Sequence, residues 1–173
     1  MFEYTPADIS GQIAALPPAM SIWLRALGVV NMASVIFLAR KQARWVLAAM
    51  VFIAATNIPI FLSYGLVKLG SMPHLVWIPL IIYLAREFRL GNIEIKTVFG
   101  VWCLIVMLID LVSVVFDVRD SVQYLMGDQG PMVIDEGAPA PYFSLAMMAV
   151  GAVSLLIYAF KKDAPKPEAA QKS

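Results

Sequence analysis

Residues 97–118 read TVFGVWCLIVMLIDLVSVVFDV, and this stretch decides the fold. It is long enough to cross a membrane, which takes about 20 mostly apolar residues. Within it, small or polar residues recur at spacings of three and four, which places them on one helix face. They are Gly100, Cys103, Met107, Asp110, Ser113 and Asp117. The stretch therefore predicts a membrane-spanning helix that packs this face inside a bundle.

Similar apolar runs occur before and after this stretch. The chain of 173 residues is 61% hydrophobic and only 14% charged, and its mean hydropathy is +0.78. A soluble domain of this size would need far more polar surface. We predict an all-α polytopic integral membrane protein, a bundle of five transmembrane helices over residues 18–160, with spans at 18–39, 45–67, 73–85, 97–118 and 142–160.

The basic residues predict the orientation of these spans. Ten of the 13 Lys and Arg fall in alternate connections or in the tail: Arg40, Lys41, Arg44, Arg86, Arg89, Lys96, Lys161, Lys162, Lys166 and Lys172. Because cytoplasmic segments collect positive charge, the N-terminus is expected outside and the C-terminus inside. Lys68 and Arg119 are expected to be ordinary outer surface charges, and Arg25 alone lies within a span. The predicted location is the plasma membrane, the inner membrane if the protein is bacterial.

Residues 1–17 are predicted to lie at the outer membrane interface and to contain a short helix. Thr5 is a suitable N-cap, followed by Pro6 at the first helical position and Asp8 at the third. The N-terminal segment carries the acidic residue Glu3 and lacks a basic segment before the first apolar run. We therefore expect no cleaved signal peptide, so that the first run stays as a helix.

The remaining connections are also predicted from composition. In the outer loop 119–141 the fourth helix is expected to continue before stopping near Gly127. Residues 161–173 are rich in Lys, Pro and Ala and are expected to form a disordered cytoplasmic tail. Pro59 predicts a kink in the second span, and Pro79 predicts an interruption of a short third span.

Six polar residues fall within or beside the spans and form a candidate intramembrane polar cluster: Arg25, Asn31, Asn57, His74, Asp110 and Asp117. The membrane depths of Arg25 and Asp110 match closely enough to predict an ion pair between the first and fourth helices. Alternatively, Arg25 extends to the outer headgroups and Asp110 is protonated. The cluster either lines an outward-facing pocket or joins the helices by hydrogen bonds, and the second interpretation is favoured.

The sequence predicts no catalytic residue, no cofactor-binding residue and no metal site. His74 is the only histidine and Cys103 the only cysteine, so neither bis-histidine haem nor a zinc site is expected. No span contains the lysine that a retinal Schiff base requires. Phosphate-binding loops and dinucleotide fingerprints are absent. A net charge of +1 argues against a nucleic-acid partner.

Three functions remain open at this point. The leading hypothesis is a non-enzymatic partner-binding or accessory subunit that associates with another membrane protein or with itself in the lipid bilayer. The second is a small transporter or channel subunit with an outward-facing polar pocket around Arg25 and Asp110. The third is an intramembrane enzyme acting on lipid or quinone, with His74 or Asp110 as the acid or base.

Overall fold

The computed structural model describes residues 3–131 and 140–160, with the backbone alone at 140–149. The predicted tail 161–173 and part of the predicted outer loop lie outside this range. The described residues form six α-helices: α1 (Pro6–Ala14), α2 (Pro18–Met32), α3 (Lys41–Tyr64), α4 (Trp77–Arg89), α5 (Val98–Leu125) and α6 (Ala140–Phe160). A first 3₁₀ segment (Ala33–Phe37) extends α2, and a second (Lys68–Val76) leads into α4.

Four helical stretches in the described part of the chain are long and apolar enough to cross a membrane. They are Pro18–Phe37, Lys41–Tyr64, Lys68–Arg89 and Val98–Leu125. By length and composition, the chain therefore has the helices of a polytopic membrane protein. The predicted fifth span falls on α6, which has 21 residues and whose side chains are described only from Val150 onward.

Helix α5 is the centre of the bundle and contacts α2, α4, α6 and the second 3₁₀ segment. Every residue of its predicted small or polar stripe is buried. Around it, side chains from α3, α4 and α5 form an apolar core that includes Val46, Leu84, Val106 and Met107. In the apolar windows of the spans, the share of buried residues is 44% for α5 and for the span that ends in α4, and 22% for the spans of α2 and α3. The stripe therefore marks the helix that the others pack against.

The third span differs from the prediction of a short, interrupted helix. Residues 68–72, which separate the predicted spans 45–67 and 73–85, belong to the second 3₁₀ segment, which runs directly into α4. Pro79 lies in the first turn of α4, where backbone N–H groups have no intrahelical partner to lose. It therefore causes no interruption there. By contrast, Pro59 lies inside α3, as predicted, and α3 continues through it.

The basic segments preceding α3 and following α4 lie at one end of the bundle. The Gln42 amide near the start of α3 donates a 2.7 Å hydrogen bond to Glu87 near the end of α4. The Arg40 guanidinium stacks over the ring of Phe99 at the start of α5, 5.4 Å from its centroid. Arg89 lies 4.9 Å from the ring centroid of Tyr158 at the end of α6. These contacts place the described basic segments together, at what we call the basic end.

Helix α1 is attached to the opposite end of the bundle. Its predicted N-terminus is confirmed: Thr5 and Asp8 form a reciprocal capping box. The backbone N–H of Tyr4 donates to Leu62 O at 2.9 Å, and the Leu66 N–H donates to Gln12 Oε1 at 2.9 Å. Helix α1 is thereby held beside the end of α3.

Lys68 is not the ordinary surface charge that the sequence predicted. It is 8% exposed, and its ammonium group pairs with the Asp128 carboxylate. The Lys68 N–H also donates to Gly130 O at 3.3 Å, next to a bridge between Val67 and Pro131. This contact follows the end of α5 at Leu125 and the predicted stop at Gly127, whose φ is +98°. The ion pair therefore fixes the chain after α5 against the start of the second 3₁₀ segment.

Substitution of Gly100 tests the packing at the start of α5. A Cβ atom there would lie 2.0 Å from the backbone oxygen of Glu94, so the connection before α5 would have to move. We expect Gly100→Ala to lower the free energy of unfolding by about 1–3 kcal/mol, the usual cost of overpacking. SDS titration followed by circular dichroism measures this. Gly11→Ala is the control, because its Cβ meets nothing within 4 Å. Equal stability of the two variants would contradict this packing.

The Lys68–Asp128 pair predicts a loss of stability in acid. Hydrogen bonding from the Lys68 ammonium, followed by the Gly130 N–H, lowers the pKa of Asp128 below its usual 3.8. A carboxylate whose pKa is lower in the folded than in the unfolded protein stabilises the fold at pH values above the unfolded-state pKa. This stabilisation is lost as the pH falls through the folded-state pKa.

Asp128→Asn should therefore melt at a lower temperature than the wild type at pH 7. The difference should shrink as the pH falls below about 3.8, the usual aspartate pKa. Thermal melts in detergent at a series of pH values measure it. A difference that stays constant from neutral to strongly acidic pH would contradict the assigned pair.

Candidate ligand-binding site

Asp110 forms a buried hydrogen bond with Asn31 rather than an ion pair with Arg25. Both Asp110 and Asn31 are 0% exposed, and Asn31 Nδ2 donates to Asp110 Oδ1 at 2.8 Å. Arg25 is exposed on α2 and forms no ion pair with any residue that the structure describes. Asn31 follows Arg25 by six positions, so on an α-helix the two side chains point about 120° apart. Matching the two residues by membrane depth alone missed this difference in direction.

His74 is held between Asp117 and Asn57. His74 Nδ1 lies 3.1 Å from Asp117 Oδ1, and Ser113 donates to the other carboxylate oxygen at 2.8 Å. Asn57 Nδ2 lies 3.2 Å from His74 Nε2. With this amide orientation Nε2 accepts, so the ring proton is on Nδ1 and is donated to Asp117. Both nitrogens of the histidine therefore have a partner.

A further contact of the same kind was missed by the sequence analysis. The hydroxyl oxygens of Ser71 and Ser121 lie 3.1 Å apart and both residues are buried. Ser121 follows Asp117 by four residues and so extends the polar face of α5. The predicted stripe ends at Asp117 because the predicted span ends at Val118, whereas α5 continues to Leu125. Together, the contacts of Asp110, Asp117 and Ser121 form a polar ladder along α5.

A cavity of about 720 Å³ lies among α1, α2, α3, α5, the second 3₁₀ segment and the start of α4. Its lining along α3 runs from Met50 to Phe61, about 16 Å at 1.5 Å per residue. Seventeen of its 24 lining residues are apolar or glycine. The polar and charged ones are Arg25, Asn57, His74, Ser113, Asp117, Arg119 and Asp120. The site is thus an apolar chamber with a small number of polar groups.

The six residues of the predicted polar cluster separate into two groups. Arg25, Asn57, His74 and Asp117 line the cavity. Asn31 and Asp110 are not part of its wall and bond to each other inside the bundle. The two interpretations of the cluster are therefore not exclusive: Asn57, His74 and Asp117 line the cavity and also join elements, whereas Asn31 and Asp110 only join helices.

The cavity has no group of residues suited to hold a metal ion. Within residues 3–131 and 140–160, no three His, Cys, Asp or Glu side chains come together in a way that could do so. What the geometry can accommodate is a molecule with an apolar body that makes a few polar contacts. Pockets of about 300–1,000 Å³ with mostly apolar walls commonly bind small molecules in proteins.

Comparison with known proteins found no similar protein, so the candidate function rests on the geometry of the site. No protein-family model, no curated protein and no solved structure matches this chain.

The Asn31–Asp110 contact can be tested by a double-mutant cycle. Asn31→Leu leaves the buried Asp110 without its partner, which should cost about 1–3 kcal/mol of unfolding free energy. Replacing both residues by Leu should recover most of that loss, because no polar group is then left unpaired. Unfolding by SDS titration provides the free energies. Additive losses in the double variant would show that the two side chains do not interact.

Proposed function

We propose that this protein is a non-enzymatic membrane protein that binds a small amphipathic molecule in the cavity beside α5. The observation that carries the proposal is the combination of an apolar wall with the His74–Asp117 pair at one side of it. An apolar ligand body would displace lipid or water from this wall, and the polar groups would orient its head. The site thus corresponds to the outward-facing pocket of the second sequence-based hypothesis, without Asp110.

Binding fits the geometry better than conduction. Towards the basic end, apolar side chains such as Val46, Leu84 and Val106 are each 0% exposed. At that end, Phe37, Phe99 and Trp102 pack against one another with ring centroids 5.0 to 5.7 Å apart. A closed apolar core offers no polar path for an ion through these residues. We therefore propose a binding pocket that opens on one side of the membrane.

Catalysis on lipid or quinone has less support in the same contacts. A general acid or base needs a nitrogen or oxygen that reaches the substrate. His74 has Asp117 at one ring nitrogen and Asn57 at the other, and Asp117 is also bonded to Ser113. These side chains are arranged to hold one another in position. The pair therefore forms a fixed polar side of the cavity and is not placed to transfer protons to or from a ligand.

The membrane arrangement that we propose has five spans, with α6 as the fifth. The basic end faces the cytoplasm and the cavity faces outward, so that α1 lies at the outer interface. The positive charges gathered at one end support this orientation. We propose the plasma membrane as the location. Association with a partner protein, the leading sequence-based hypothesis, stays a prediction, since exposed apolar residues such as Val150 and Ile157 suit lipid equally well.

Filling the cavity tests this function. Gly28 lines the cavity, and a Cβ atom built on it meets nothing within 4 Å. We expect Gly28→Leu to fold normally and to weaken binding at least tenfold, because the new side chain occupies the ligand's space. The probe is 9,10-dibromooctadecanol, a neutral single-chain amphiphile whose bromines quench tryptophan fluorescence. Trp23 and Trp77, which line the cavity, would report its entry.

The measurement uses protein in phosphatidylcholine nanodiscs on a Trp45→Phe background, because Trp45 is 53% exposed and would report probe in the surrounding lipid. Gly11→Leu is the control, since that position is equally open but lies outside the cavity. Saturable quenching in the control and its loss in Gly28→Leu are the expected results. Quenching that never saturates in the wild type, or that is the same in both variants, would overturn the proposed function.

A further inference from the structure

Arg25 is a cation on the wall of the cavity, well inside a membrane-spanning stretch. It lies seven residues after Pro18, about 10 Å along α2 at 1.5 Å per residue. Its side chain is exposed and lines the cavity, and it forms no ion pair with a described residue. A guanidinium group in this position is costly unless an anion or water accompanies it.

The other charges on the cavity wall have opposite charges or hydrogen-bond donors beside them. Both carboxylate oxygens of Asp117 are occupied, one by His74 and one by Ser113. Asp120 lies within the electrostatic reach of both Arg119 and Lys68. Neither Arg25 nor Arg119 forms an ion pair with a described residue. Arg119 lies within the electrostatic reach of Asp120, so Arg25 is the cation on the wall for which neither kind of contact is found among the described residues.

We propose that the ligand is an amphiphile with an anionic head, a carboxylate or a phosphate, which binds Arg25 while its hydrocarbon chain occupies the cavity. This rests on the proposed function and adds the chemical class of the ligand. Guanidinium groups bind carboxylates and phosphates through two parallel hydrogen bonds, and these bonds strengthen where water is excluded. The lining along α3, about 16 Å from Met50 to Phe61, provides an apolar surface for the chain.

In this proposal the two ends of the ligand have different binding partners, Arg25 for the head and the apolar wall for the chain. A neutral chain would interact with the apolar wall alone and would gain nothing from Arg25. An anionic head would neutralise Arg25 and leave the internally bonded His74–Asp117 pair undisturbed. The same head chemistry could come from a free fatty acid or from a phospholipid of the bilayer, so the experiment includes both.

The test compares binding of 9,10-dibromostearate with that of 9,10-dibromooctadecanol, which has the same chain and a neutral head. Both are titrated at pH 8 into protein with Trp45→Phe in phosphatidylcholine nanodiscs, and saturable tryptophan quenching is recorded. We expect the stearate to bind at least tenfold more tightly than the alcohol. Arg25→Gln should remove this preference and leave binding of the alcohol unchanged.

Two variants serve as controls. Arg25→Lys should keep part of the preference, because an ammonium group retains the charge but not the two-bond geometry. Arg44→Gln removes an exposed arginine outside the cavity and should keep all of it. Saturation by brominated phosphatidylglycerol that depends on Arg25 would support the anionic head and assign it to a bilayer phospholipid. If binding of stearate depends on Arg25 and phosphatidylglycerol does not bind saturably, the anionic head is supported and is assigned to a free fatty acid.

The failures of the two proposals are distinguishable. Equal affinity for the stearate and the alcohol would overturn the anionic head, and a preference that survives Arg25→Gln would overturn its binding to Arg25; both results leave saturable binding in the cavity intact. The absence of saturable binding for all the probes would overturn the proposed function and the inference together.

Discussion

The polar ladder along α5 is the constraint on which the rest of the structure depends. Its three contacts join α5 to α2 or to the second 3₁₀ segment by buried hydrogen bonds: Asn31–Asp110, His74–Asp117 and Ser71–Ser121. In a bilayer, apolar helices gain little by exchanging lipid for each other, since lipid tails are as apolar as leucine. A buried polar group without a partner, however, is costly. The ladder therefore determines which face of α5 points inward and which residues of its neighbours meet it.

The cavity follows from the same arrangement. The Asn31–Asp110 contact holds α2 to α5 inside the bundle, and the His74–Asp117 contact holds the second 3₁₀ segment to α5 on the cavity wall. Helix α1, fixed beside the end of α3 through Gln12, adds a further wall. The chamber is thus bounded by elements that are each held by a specific polar contact. Its shape does not depend on apolar packing alone.

Much of the fold could be predicted from the sequence because it depends on periodicity and on local capping. The buried stripe of α5, the capping box at Thr5 and the stop at Gly127 all follow from residue types at short spacings. The partner of Asp110 could not be predicted, because that requires the rotation of α2 about its axis as well as its depth. Arg25 and Asn31 lie on the same helix at depths that both suit Asp110, and only the packing selects between them.

Other features depended on tertiary contacts that local sequence does not encode. Lys68 appeared to be an outer surface charge until its partner Asp128, 60 residues later, was brought beside it. The cavity itself is a space left among six elements, and no short sequence pattern specifies such a space. Four residues of the predicted polar cluster line it, because polar groups in a bilayer gather either in helix contacts or around such a chamber.

The most direct test of the polar ladder and of the ligand-binding cavity is an experimental structure of the protein in lipid nanodiscs, purified without added ligand. It should retain the Asn31–Asp110 and His74–Asp117 contacts and contain elongated density in the cavity, with one end at Arg25. A bundle in which α1 and α2 close against α5, so that side chains fill the cavity, would contradict it.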